Sequence, residues 1–532
     1  MEKKKNSVVD QASILVVAML LSRVLGLFMR IPLTHFLGDE GNAYFGVAFQ
    51  VYSFFLVVSS AGLPAAISKL VSERLALEQY HDAHAIFKTA LLLSVVIGMV
   101  CSLIFMFGAS ILSSMMGQPM SVYSMRALSP TVFIVGIMAV YRGYFLGMGT
   151  TKPTAASQII EQGFKVVFSV LFVWSLYGRG PQYGAAGGTA GTGVGAIAGL
   201  AVVLIIYGLN SGSIKNKLRK SKLSRQESYS KIAVNVMKTA WPIILGTAVF
   251  TISGLIDSSM ISNRLIASNA FTREEVDVMY GQYNGKFIVL TTLPVVVSAA
   301  LATAFIPSIA ASNAIKDIRA VSAKINLALR MTMLISIPAA IGLSVLGDPI
   351  IRLLFPSNPE GGYLLQWGGI AVVFLALSQI ATGMLQGLGY VKLPLIGACA
   401  LAVVKITLNY FLISNPQINI LGAVFSTMAG YFVALLLNTM FLVRVTRMKI
   451  DFKRILIKPL ICAAVMGAGT YVFFEAIMHI SGSNALSVIL AITFGAAIYF
   501  LGMLLIEGID HSDLKSAPLG DKVVRVLNRL GI

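Results

Sequence analysis

Fourteen stretches of about 20 mostly apolar residues recur along the chain, the first two near 11–35 and 43–68 and the last two near 456–478 and 485–507. Each is long enough to cross a bilayer as a helix. Lipid offers no partner to a backbone N–H or C=O, so segments of this kind are restricted to helices, with every amide bonded within the segment. The sixth, in GRGPQYGAAGGTAGTGVGAIAG, is rich enough in glycine to start late or break, and it is the least secure together with the fifth. With 57% hydrophobic and 12% charged residues and a mean hydropathy of +0.82, the chain is not an ordinary soluble domain. The expected fold class is an all-α polytopic membrane protein of about 14 transmembrane helices.

The net charge of +19 at first suggests a nucleic-acid partner. Placing the charges removes that reading. If the N-terminus is cytoplasmic, Lys3, Lys4, Lys5, the run from Lys215 to Lys231 and the set from Arg444 to Lys458 all fall on the inner side, while the outer loops keep only Arg179, Arg264, Arg273 and Arg352. The positive-inside rule then predicts a multi-pass protein of the cell membrane with both termini cytoplasmic, membrane lipids around it and no nucleic-acid partner. No cleavable signal peptide is expected, because the apolar stretch behind MEKKK is too long and no small-residue cleavage site follows it. Cys101, Cys399 and Cys462 are far apart and read as packing residues, and the five histidines have no ligand-like spacing, so no metal is expected.

Compared with itself at an offset of 240 residues, the chain aligns RGYFLGMGTTKPT with TGMLQGLGYVKLP: Gly143, Gly147, Gly149, Lys152 and Lys165 meet Gly383, Gly387, Gly389, Lys392 and Lys405. Pro64 in GLPAAIS likewise resembles Pro307 in FIPSIAAS. Two units of six helices enter the membrane in the same orientation, which predicts parallel repeats around a central cavity. The expected division is an N-lobe over 1–210, a basic cytoplasmic linker over 211–232, a C-lobe over 233–447, two further helices over 448–508 and an amphipathic cytoplasmic tail over 509–532. A monomer is expected.

Charges inside the spans are the candidate site, since ionisable residues at membrane depth are costly and usually face a bundle interior or a wet cavity. Arg23 and Arg30 lie seven residues apart in the first span, which returns them to within about 20° of one helix face. Two such donors suit phosphate or carboxylate. Arg30 can instead snorkel to the interface, and Arg23 can pair with a carboxylate on a neighbouring helix. Glu161 and Lys165, at i and i+4 with the acid first, are expected to be a structural pair that neutralises itself. Lys405 has Leu401 where the acid would stand, so it either snorkels or faces the cavity. Asp257 reads as a counter-ion, a proton or cation coupling site, or a helix-end residue, and Lys286 either completes a cationic ring or is interfacial.

No G-x-S-x-G, Walker loop or H-E-x-x-H is present, so no enzyme activity and no cofactor are expected. Without a nucleotide loop, energy is expected from a monovalent cation gradient, the membrane potential or substrate mass action.

The string Ser22-Arg23-Val24-Leu25-Gly26, followed by Phe36-Leu37-Gly38 and later Gly62-Leu63-Pro64-Ala65, resembles the polysaccharide-biosynthesis branch of the multidrug/oligosaccharidyl-lipid/polysaccharide exporter superfamily, of the MurJ and SpoVB type. The resemblance runs over the whole length. It implies helices in a 6+6+2 layout and a flippase for an undecaprenyl-pyrophosphate-linked saccharide, lipid II or a related precursor, with cavity arginines on the pyrophosphate and a lipid-tail groove at the two extra helices. Arg23 matches the family's first-helix arginine. Arg30 comes one residue later than the second, because position 29 is Met, and on helix eight only Lys286 can substitute. A multidrug/cation antiporter would want an acid in helix one, where this chain has arginines, and a non-transporting scaffold for envelope synthesis would need the fold without a charged cavity.

Overall fold

The computed structural model describes residues 2–219, 228–390, 392–506 and 508. The described residues form helices joined by short turns. In chain order these are α1 (Glu2–Leu56), α2 (Leu63–Ala76), α3 (Tyr80–Met115), α4 (Val122–Gly147), α5 (Lys152–Leu176), α6 (Pro181–Leu209), the short α7 (Ser211–Arg219), α8 (Tyr229–Ala267) and α9 (Arg273–Gln282). There follow α10 (Ile288–Ala314), α11 (Ile318–Val345), α12 (Gly347–Leu354), α13 (Gly362–Gly368), α14 (Ala371–Gly387), α15 (Lys392–Leu412), α16 (Leu421–Thr446), α17 (Lys458–Ser481) and α18 (Asn484–Leu505).

Ten helices among the described residues are long and apolar enough to cross a membrane, or eleven if the bent pair α13 and α14 is one span. The chain is therefore a multi-pass membrane protein. Between the first two expected stretches α1 kinks: it is two helices joined at Gly38, whose φ of 64° and ψ of −176° only a glycine adopts easily. The amphipathic tail over 509–532 and the middle of the basic linker lie outside the described residues.

By packing, the chain divides into unit 1, Met1–Gly285 with Asn409–Ile420, and unit 2, Lys286–Leu408 with Leu421–Ile532. This boundary falls later than the linker over 211–232, because Ile232, Val236, Ala240 and Ile244 of α8 share one core with Leu63, Ile67 and Val71 of α2 and Phe87 of α3. In unit 2, Cys462, Met466, Tyr499 and Met503 of α17 and α18 share a core with Ile325, Met333, Val372 and Ile380 of α11 and α14.

The internal repeat reappears inside each unit. Gly149 (φ +78°) ends α4 with its N–H on Leu146 O and the next N–H, of Thr150, on Phe145 O; Gly389 (φ +88°) ends α14 with the same pattern onto Gln386 O and Leu385 O. Both are left-handed glycine caps that satisfy the last carbonyls of their helices. The glycine-rich sixth stretch is an unbroken helix. Its glycines at every fourth position face α5, so that a Cβ on Gly191 would lie 2.3 Å from Ser169 N and one on Gly195 would lie 2.5 Å from Glu161 O. Close backbone approach by small residues is how apolar helices associate in lipid, where the hydrophobic effect gives them no drive to pair.

Candidate functional site

The interior of unit 1 carries the candidate site, built from α1, α4 and α5. Phe45 and Phe49 lie one turn apart on α1 beyond the Gly38 bend, and their rings stack with centroids 5.5 Å apart and planes 12° off parallel. Two cations sit on these rings. The Arg30 guanidinium carbon is 4.7 Å from the Phe45 centroid, and Lys165 Nζ is 4.7 Å from that of Phe49.

Arg30 Nη1 is buried without a hydrogen-bond partner. A charge at the bilayer centre costs roughly 2.5–3.5 kcal/mol on insertion scales, and a cation–π contact returns about 0.5–2 kcal/mol, so the rings offset only part of it. Ser22 Oγ on α1, Thr131 Oγ1 on α4, Gln158 Oε1 on α5 and Thr192 Oγ1 on α6 are also buried without partners. Polar atoms in that state are met by water or ligand in a working protein.

Glu161, expected to pair with Lys165, bonds Arg142. Its carboxylate takes Arg142 Nη2 at 2.7 Å, while Arg142 Nε donates to Ser157 Oγ at 2.8 Å, and Lys165 turns to Phe49. A guanidinium offers two donors in one plane and spans the turn from Ser157 to Glu161, which the single ammonium point of Lys165 cannot do.

Lys286 bonds two loop carbonyls. It is fully buried, and its Nζ donates to Asn358 O at 2.8 Å and Glu360 O at 2.9 Å within unit 2. These bonds hold the loop before α13. Lys405 is buried at 5% exposure, with Nζ 6.0 Å from the Tyr431 centroid and its stem against Gly430 of α16. The Lys165 stem lies likewise against Gly195 of α6. Asp257 is half-buried and accepts from Asn409 Nδ2 at 3.0 Å. Arg23 is on α1, with its side chain outside the described residues.

Sequence reasoning passed over Phe45 and Phe49, although their i, i+4 spacing beside a charged span was a usable signal. It also passed over a polar cluster near Gly38. There Tyr44 Oη donates to Glu40 Oε1 at 2.6 Å and lies 3.1 Å from Asp277 Oδ2, Gln118 Nε2 donates to Asp277 Oδ1 at 2.6 Å, and Gln282 Nε2 donates to Asp39 Oδ2 at 3.3 Å. Burial pushes the Asp277 carboxyl up from its ordinary value, against the pull of Gln118, Tyr44 and Arg273. Among the described residues no group of three or more His, Cys, Asp or Glu is arranged to hold a metal. Unit 2 holds an apolar cavity of about 620 Å³ walled by Pro294 of α10, Pro338 of α11, Met466 of α17, and Tyr499 and Phe500 of α18.

The sequence pattern of the family described as polysaccharide biosynthesis protein matches residues 8–313, more than half of the chain and all the residues of the unit 1 site. The chain belongs to that family. The pattern described as MatE matches residues 287–411. Among relatives of this polysaccharide biosynthesis protein, lipid II flippase MurJ of Bacillus subtilis (strain 168) is 25% identical over 504 residues, covering 90% of this chain and 92% of the relative. Stage V sporulation protein B of the same strain is 24% identical, covering 96% and 98%, and the uncharacterized membrane protein YabM is 25% identical, covering 99% and 98%. Among solved structures, lipid II flippase MurJ in an inward closed conformation superposes with a TM-score of 0.68 at 16% identity, over 92% of this chain and 98% of that one. An inward-facing multidrug resistance MATE transporter superposes with a TM-score of 0.65 at 17% identity, over 80% and 96%. The fold is that of these two transporters.

Proposed function

We propose that the chain is a flippase that carries an undecaprenyl-pyrophosphate-linked saccharide, lipid II or a related envelope precursor, across the cytoplasmic membrane by alternating access. The observation that carries this reading is Arg30: a permanently charged guanidinium inside unit 1 with a nitrogen unsatisfied by protein, in a unit that holds a second cation, Lys165, and whose acid Glu161 is already taken by Arg142. An interior of that sign selects an anion, and a guanidinium suits a phosphoryl oxygen. It disfavours the cationic-drug antiporter that the MatE match by itself would allow. In this reading both termini are cytoplasmic, the protein acts as a monomer, and the drive is the membrane potential or a monovalent cation gradient.

The test is Arg30→Ala in vesicles reconstituted with a fluorescent lipid-linked saccharide. Flipping is expected to be lost at normal membrane abundance, with Arg30→Lys restoring only part, because an ammonium lacks the second planar donor. Full activity of Arg30→Ala would overturn the reading.

A further inference from the structure

The polar cluster beyond the Gly38 bend lies within unit 1 and shares no residue with the Arg30 site. α9 lies outside the apolar spans and brings Asp277, 4% exposed, against Glu40 and Tyr44 of α1. Tyr44 Oη is 2.6 Å from Glu40 Oε1 and 3.1 Å from Asp277 Oδ2, yet a phenol has one proton to give. With both acids ionised, one of these contacts would set lone pair against lone pair. A proton on Asp277 Oδ2 removes the conflict, since the acid then donates to Tyr44 while Tyr44 donates to Glu40. Gln118 fits the same state: its Nε2 donates at 2.6 Å to Asp277 Oδ1, which a neutral acid keeps as an acceptor. Gln118 itself is fully buried, and its Oε1 has no partner.

The charges around Asp277 do not replace the proton. Glu40 is a like charge, and Asp39, next to it on α1, accepts from Gln282 at 3.3 Å. Arg273, at the start of α9, attracts Asp277 through space but gives its Nη2 to Gly117 O at 2.8 Å. From α8, Ser262 meets Gln118, and Asp257 acts on Tyr280. Burial therefore leads in raising the Asp277 carboxyl, and Glu40 adds to it. The docking of α9 is also close, because a Cβ on Gly281 would run into Asp39 O of α1.

We propose that Asp277 is a proton-binding site on the outer side of the protein, and that its proton latches α9 onto α1. With the proton bound, α9 is docked. When the acid O–H gives its proton to outer water, two carboxylates face the single Tyr44 hydroxyl and α9 is released from α1. Gln118 Oε1 is the acceptor that receives the water carrying the proton in or out. Unlike the anionic-lipid reading, this assigns a ligand to the outer end of the unit and holds whatever the substrate is.

The test uses the full-length protein in nanodiscs, with Cys101, Cys399 and Cys462 replaced by Ala and nitroxide labels at the exposed positions Met120 and Glu274. Spin–spin distances are read between about pH 5 and about pH 8, the range over which a raised carboxyl loses its proton. The parent is expected to move most of its population from one short distance to a longer, broader one as pH rises. Asp277→Asn, whose amide keeps a donor for Tyr44 and an acceptor for Gln118, is expected to hold the short distance throughout. A parent distance that ignores pH overturns the proposal, as does a shift that survives in Asp277→Asn. A shift that follows sodium at fixed pH overturns it too and makes the cluster a cation site. Should Asp277→Asn fail to fold, Glu40→Gln decides: loss of the like charge is expected to move the midpoint of the shift to lower pH, and an unmoved midpoint overturns the latch.

Discussion

Replacing Arg142 by Gln removes the partner of Glu161 and tests both the bridge and its effect on Lys165. The two side chains meet at 2.7 Å with 13% and 19% of their surfaces exposed. Deleting one member of so buried a pair leaves an uncompensated charge and typically costs about 3–5 kcal/mol. Here the loss falls toward the lower end, because Glu161 can turn to Lys165 in the order that favours an i, i+4 pair, about 0.3–0.5 kcal/mol in exposed helices. That rearrangement also takes Lys165 off Phe49, so Arg142→Gln should lower flipping although Arg142 touches no substrate. Glu161→Gln alone leaves the Arg142 guanidinium unpaired and should destabilise by a comparable amount. The double variant Arg142→Gln with Glu161→Gln should recover about 1–3 kcal/mol relative to the sum of the singles, the coupling expected of directly bonded neighbours. The assay is unfolding by SDS titration in bicelles for the four proteins of the cycle, with flipping measured on the same preparations. Additive losses, or a double variant no more active than Arg142→Gln, would refute the argument that Arg142 acts by holding Glu161 away from Lys165.

Lys286→Met should cost about 1–3 kcal/mol of stability by leaving two loop carbonyls without their donor, with farnesyl diphosphate affinity unchanged; a folded variant with weakened affinity would return Lys286 to the binding site. The cluster around Asp277 predicts a pH dependence. Its carboxyl is raised in the folded protein, so the folded state binds that proton more tightly than the unfolded chain does. The stability it contributes is full below the ordinary carboxylate range and is lost as pH rises through the raised value. Tyr44 has one phenolic proton for two carboxylates, and a protonated Asp277 supplies the second. Asp277→Asn, which stays neutral at every pH, should therefore flatten the thermal midpoint across the acid-to-neutral range, and an unchanged slope would remove Asp277 as its source.

Helicity of the described residues, membrane insertion and the family were legible in residue order, because each is set by local physics. Length and apolarity of a stretch decide whether it enters lipid, and the paired left-handed caps at Gly149 and Gly389 follow from a glycine at the same place in each copy. Arg30 was legible too, since a charge in an apolar stretch is conspicuous at any resolution. What its charge faces was not. The contact of Lys165 with Phe49 needs α5 brought against α1, and Glu161 meets Arg142 rather than the nearer-in-sequence Lys165 because α4 lays a planar guanidinium along the turn from Ser157 to Glu161. Lys286 looked available because the carbonyls that consume it come more than 70 residues later in the chain, as separations of 72 and 74 show. The sequence by itself determined which segments sit in the membrane and which charges they carry there. Only the tertiary structure decided which protein groups those charges meet, because partner choice depends on distances between helices that chain order does not encode.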